Sequence, residues 1–350
     1  GLLVLLRRRL FGWLDVERLE LSIPEVLFPL DISVGAQQFQ RRRLRVVNCR
    51  LTVDDAGVAT LAKERAPHLA AAGFDDVRLR LSNGFVEIGC RARMAGRAAD
   101  LTARLLLSAA GGTLRAELTD IHLLAPFPRP ATLVAHKLLL AFVGPAAIHG
   151  PADLLFDALG ALLWRALPPA GWRLPDASGV RLTATIMQRG RVFLGFDPAN
   201  ETERAEPPPA PDASNGDHRL LVGDLNGAAL AYRTALATAT SDVSARAPAA
   251  KLLHVLCAQE DLSEETPRLA GDLIGRWPDF LPAAVALATG SIDVGAASET
   301  AARWSRIVTL AEAAGLTELA SRAALTAARL LAATDPRLAM ELNERVLEHR

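Results

Sequence analysis

Lysine is nearly missing from this 350-residue chain. It occurs only at Lys63, Lys137 and Lys251, although Lys and Arg together number 39. The positive charge is therefore almost all arginine, and with the abundance of alanine this reads as the bias of a GC-rich bacterial source. Tyrosine occurs once, at Tyr232. No aromatics are interleaved with the basic run Arg41 to Arg45 to make a surface for stacking bases, and no nucleic-acid partner is expected. Cysteine occurs three times, at Cys49, Cys90 and Cys257, an odd number without close spacing. That excludes a disulfide framework and a zinc knuckle, and the three read as buried thiols. No apolar run approaches the length of a membrane-spanning helix; Leu2 to Leu6 is too short, and its charges follow it rather than precede it as in a signal peptide.

Catalytic signatures are absent as well. There is no Gly-x-Ser-x-Gly elbow, no Walker loop and no His-Glu-x-x-His. The seven histidines are scattered; His136 and His149 flank a helix end with no acid beside them, which does not make a metal site. Asp54-Asp55 read as a helix cap and Asp75-Asp76 as a turn. No enzyme, cofactor or metal is expected.

What the chain does have is a change of pattern partway along. From Asp75 to Leu123 apolar and polar residues alternate between glycine turns, the signature of strands buried on one side. Val77, Leu79 and Leu81 are followed by a turn at Asn83-Gly84. Val86, Ile88 and Cys90 then face inward and Glu87 and Arg91 outward; Leu101, Leu105 and Leu107, and then Leu114, Ala116 and Leu118, complete four antiparallel strands. Before the meander, Leu19 to Ile23 reads as a first strand and Phe39 to Val53 as a long basic one. In the latter, Arg41, Arg43 and Arg45 share a face opposite Leu44 and Val46, and the phase then slips by one residue, as at a β-bulge. Asp54-Asp55 open a helix with Val58, Leu61, Arg65 and Leu69 on one stripe. Two further helices are read from Pro130 and from Ala152 to Leu167, and a hairpin from Val180 to Phe196 closes this half. The opening residues, read as a helix, place Leu3, Leu6, Leu10, Trp13 and Leu14 on one side and arginines around the rest. That helix either lies on a membrane or packs as a terminal helix.

After Asp217 the alternation gives way to Ala/Leu-rich helical spacing. Residues 197–216, rich in proline and acid, read as a linker. The expected domains are thus an α+β domain at 1–196, the linker at 197–216 and an all-α domain at 217–350. Residues 1–196 carry 25 Lys and Arg against 17 Asp and Glu, an excess of eight positive charges; residues 197–350 carry 14 against 22, the mirror image. A basic half suits an anionic partner such as a membrane surface, or simply its acidic neighbour.

The run from Leu81 to Leu105, with Gly111 to Leu123 after it, resembles bacterial tubular lipid-binding (TULIP) proteins, in particular the family of a mycobacterial envelope phospholipid-binding protein. The resemblance covers about residues 15–196. It implies a long twisted antiparallel sheet rolled on helices around a greasy groove for acyl chains. The run Gly223-Asp-Leu-Asn-Gly-Ala-Ala-Leu-Ala-Tyr-Arg-Thr-Ala-Leu236 resembles a tetratricopeptide (TPR) repeat, with Ala228 and Ala235 beneath Tyr232. Trp277-Pro-Asp-Phe-Leu-Pro282 reads as a repeat boundary, and Asp335-Pro336 as the start of a last helix.

These readings give a non-enzymatic binder of lipid or another hydrophobic ligand. Val86, Ile88, Leu105, Leu107, Leu114 and Leu118 would line its groove, with Arg41, Arg43 and Arg45 at the head group or membrane surface, and the helical domain would dock a protein partner. The alternative is a structural scaffold in which the same apolar faces close on the helices with no groove. No signal peptide is read, which leaves the compartment open between the cytoplasm and a peripheral membrane location.

Overall fold

A computed structural model describes residues 2–24, 40, 42–143, 147–188, 190–199, 215–259, 265–290 and 297–348. Most of the expected linker and Arg41 lie outside these residues. The architecture is α+β in the first half, followed by a helical region.

The first half contains two antiparallel sheets rather than one. Sheet A has the order β1 (Leu2–Leu10), β2 (Leu14–Ser22), β3 (Arg45–Asp54), β11 (Arg191–Pro198), β10 (Val180–Gln188). Sheet B has the order β4 (Phe74–Ser82), β5 (Phe85–Met94), β6 (Arg97–Ala110), β7 (Thr113–Leu123), β9 (Asp153–Phe156), β8 (Ala147–Gly150). Helix α1 (Asp55–Ala71) carries the chain from one sheet to the other, capped by the Asp54 side chain, which accepts from the Gly57 N–H at 2.6 Å. Helices α2 (Ala131–Val143) and α3 (Ala158–Ala166) complete this half.

Where turn chemistry and alternation agreed, the strands form as read. The Asn83-Gly84 and Gly111-Gly112 turns join β4 to β5 and β6 to β7, with Gly84 at φ 86 and Gly112 at φ 85. The phase slip in β3 is a real bulge: Glu20 pairs with Asn48 and Leu21 with Val46, leaving Val47 as the extra residue. Leu44, Val46, Cys49 and Leu51 are consequently all buried.

Three local readings are corrected. The opening residues form the edge hairpin β1–β2 and not an amphipathic helix; two-residue alternation puts Leu3 and Leu5 toward the core and leaves Leu2, Val4 and Leu6 exposed. The apolar run from Ala152 is two pieces, β9 and then α3, because Asp157 caps a new helix by accepting from the Gly160 N–H. Asp76 sits within β4, at φ 49 beside a register shift, and not in a turn.

The sheets are joined where β10 crosses the hairpin tips of sheet B. Gly84 N–H donates to Met187 O and Leu182 N–H to Gly112 O, while Val58, Leu81, Val86 and Val192 form a shared apolar cluster.

The helical half runs from α4 (Asn215–Leu221) through α5 (Leu225–Thr238), α6 (Asp242–Leu256), α7 (Glu265–Arg276), α8 (Leu281–Gly290), α9 (Ala297–Ala313) and α10 (Thr317–Leu331) to α11 (Pro336–Glu348). The break at Trp277 to Phe280 and the start at Pro336 lie where the sequence placed them. Fully buried Ala228, Ala249, Ala283 and Ala323 let helix axes approach closely, and Trp304 fills the largest core.

The two halves are packed against each other. Leu124, just after β7, is buried in the core built from α8, α9 and α10. Glu87, expected to face water, is 2% exposed, because α10 covers the outer face of sheet B. Its carboxylate accepts from the Thr317 N–H at 2.7 Å. Gly89 lies so close to Glu318 that a Cβ there would overlap its side chain. Arg322 crosses the boundary to Asp100 at 3.2 Å and Asp76 at 3.5 Å.

Candidate ligand cavity

The alternation that makes β5, β6 and β7 strands sends Val86, Ile88, Leu105, Leu107 and Leu114 to the inner side of sheet B. There they meet Leu51 and Val53 from β3 and Val192 and Leu194 from β11, with Val58 and Leu61 of α1, Leu139 and Phe142 of α2, and Leu162 of α3 closing the remaining sides. The space between is a cavity of about 310 Å³, partly open to solvent. Five of the six groove residues read from the sequence line it. Leu118 does not: it is 4% exposed and packed in the neighbouring core with Phe127 and Leu138.

Three lining residues carry polar atoms: Trp13, Arg65 and Arg165. Two of them are satisfied by Glu64. Its Oε2 accepts from Trp13 Nε1 at 3.1 Å and from Arg165 Nη2 at 2.9 Å. The Arg165 guanidinium also lies over the Phe11 ring, 4.8 Å from its centroid. Arg65 is different. It occupies the apolar stripe of α1 between Leu61 and Leu69, its Nε is buried, and that atom has no hydrogen-bond partner.

Of the arginines expected at the head group, Arg41 lies outside the described residues, and Arg43 and Arg45 do not line this cavity. Arg43 and Arg45 are exposed, and Arg45 pairs with Asp176 at 3.8 Å. Arg45 stands eight residues before Val53 on β3, roughly 26 Å away along a strand. The sequence reading did place Arg65 on the helix stripe, but gave it no role. A cation at a core-facing position was the available signal. Trp13 and Arg165 were not legible, because they come to the cavity through the β1–β2 hairpin and the late helix α3.

Other reactive groups carry no site. Burial pushes the Cys49 and Cys90 thiols up to about 12, so neither is a thiolate at neutral pH. Cys257 keeps exposed surface, yet the protein packed around it pushes its thiol up to about 12 as well. Among the described residues, no three His, Cys, Asp or Glu side chains are grouped to hold a metal, and no helix is long and apolar enough to cross a membrane.

At the junction of the halves lie His122 and His254. Desolvation takes His122 from 6.5 to about 4, helped by Arg104, and His254 to about 3, helped by His122 and Lys251. His254 Nδ1 is 2.9 Å from Thr132 Oγ1 on α2. Both rings are neutral fittings of the interface at physiological pH. Comparison of the chain with protein-family models, with curated proteins and with solved structures finds no match.

Proposed function

We propose that the N-terminal half is a TULIP-like, non-enzymatic carrier of a lipid or similar hydrophobic ligand, and that the helical half is a TPR-like array that docks a protein partner. The observation that carries the reading is the apolar cavity of about 310 Å³ between the two sheets and three helices. The space is partly open to solvent, so its apolar walls are wet when empty and would be covered by a bound acyl chain. Methylene groups in the same space would contribute about 0.8 kcal/mol each.

The surface supports use near an anionic membrane. The first half carries the arginine excess, and Trp164, next to Arg165 on α3, is 67% exposed, an amphipathic side chain suited to a head-group layer. For the helical half, support comes from ion pairs that join alternate helices at near-constant spacing. Lys251 reaches Asp217 across 34 residues and Arg233 reaches Glu265 across 32. That spacing suits stacked helix pairs. Leu230 and Val243 are both exposed and offer apolar contact to a partner.

Native mass spectrometry of the purified full chain, with organic extraction of what it carries, tests the reading. A co-purifying amphiphile is the expected result. A chain that carries none and takes up none from mixed vesicles is instead a self-contained assembly of sheet and helices, a reading favoured by the docking of α10 on sheet B.

A further inference from the structure

We infer that Arg65 is the anchor for a single-chain acyl monoanion, its carboxylate held by the guanidinium and its chain in the cavity between the sheets. The inference rests on the lipid-carrier reading and names its ligand class.

The first observation is where the arginine stands. Val58, Leu61, Arg65 and Leu69 form one stripe of α1, and Val58 and Leu69 are buried. Arg65 itself is half-buried, with Nε out of water, so an anion entering the space would meet a guanidinium edge that water does not already satisfy. Glu64 is the neighbouring acid, but it is taken by Trp13 and Arg165. No ion pair or hydrogen bond to the Arg65 guanidinium is present among the described residues, and its Nε is shielded from water. Nε and Nη2 together form the edge that takes a carboxylate through two parallel hydrogen bonds.

The second observation is charge. Arg165 is already neutralised by Glu64, so the cavity offers one net positive charge. A carboxylate matches it. A phosphate monoester, at about −1.5 to −2, would bring excess charge into an apolar wall. The third is size. At about 30 Å³ for each water-sized group, 310 Å³ takes roughly ten methylene-sized groups, one acyl chain and not two.

The test is isothermal titration calorimetry of the full chain with decanoic acid, decanol and decyl phosphate, repeated on Arg65→Met and Arg65→Lys. The acid should bind at least about tenfold more tightly than the alcohol, the range for a hydrogen bond to a charged group. Arg65→Met should abolish that preference, bringing the acid to the affinity of the alcohol. Arg65→Lys should keep part of it, because the charge stays and the two-pronged geometry goes. Equal binding of acid and alcohol by the parent, or a preference that survives Arg65→Met, overturns the anchor and leaves the carrier reading intact. Tighter binding of decyl phosphate than of the acid overturns the carboxylate assignment. Failure of the parent to bind any of the three removes the carrier reading and this inference with it. Should Arg65→Met not fold, a loss confined to decanoic acid in Arg65→Lys supports the anchor, and unchanged selectivity overturns it.

Discussion

Arg322 shows how much one side chain can decide at the boundary of the halves. It is 6% exposed, and burial alone would lower its pKa, but Glu318, Asp100 and Asp76 hold it above the ordinary value. Replacing it with leucine would strand Glu318 and Asp100 without their cation. Because Asp76 reaches water, the loss should fall below that of a fully buried pair, about 2–3 kcal/mol, measured by denaturant unfolding. The paired histidines add a pH signature. Both folded pKa values are depressed, so the unfolded chain binds more protons than the folded one below the ordinary 6.5. Stability is then complete above pH 6.5 and falls with pH, by up to about 3 kcal/mol per unit, until His122 titrates near 4 and His254 near 3. Melting temperatures from pH 7 down to 4.5 should fall along that slope, and His254→Gln should flatten it by about half. A flat profile in the parent would mean that these rings are hydrated.

At the scale of elements, the inner face of sheet B has two regimes along neighbouring strands. Leu118 is in the close-packed core with α2, whereas Leu105 borders the cavity. Leu118→Ala should therefore cost roughly 2–5 kcal/mol, the range for large-to-small changes in a filled core. Leu105→Ala should cost about 1 kcal/mol or less, since its side chain lacks neighbours on one side. Chemical denaturation of the two variants gives the comparison directly, and equal losses would mean that the cavity closes in solution. These strands were legible because period-two alternation and glycine turns agree. The failures have the opposite cause. The first ten residues contain leucines at spacings that satisfy both a helix and a strand, and only pairing of β1 with β2 settles the choice. Between Leu154 and Trp164 the single charged residue is Asp157, and its cap is what divides the run.

For the whole molecule, the α+β half and the helical half are packed on each other. Leu124, Leu133 and His254 are shared between the halves, and α10 covers part of sheet B's outer face. A protease site engineered into residues 201–214 should nick the chain without separating it. The fragments should co-elute on size exclusion and melt as one unit. Fragments that part at micromolar concentration would mean that the contact between the halves is too weak to hold without the covalent link.

What the sequence determined by itself was local: the meander, the stripe on α1, the helix breaks at Trp277 and Pro336, and five side chains that share one apolar wall. Each follows from periodicity, caps and turns, which act over a few residues. The tertiary structure decided everything that needed two distant segments to meet. It divided the strands between two sheets, left Leu118 in the core and Leu105 at the cavity, and buried Glu87 under α10. It also gave Glu64 to Arg165 and left Arg65 unpaired, because a charge finds its partner through space, and no spacing within α1 shows which acid a third helix will claim.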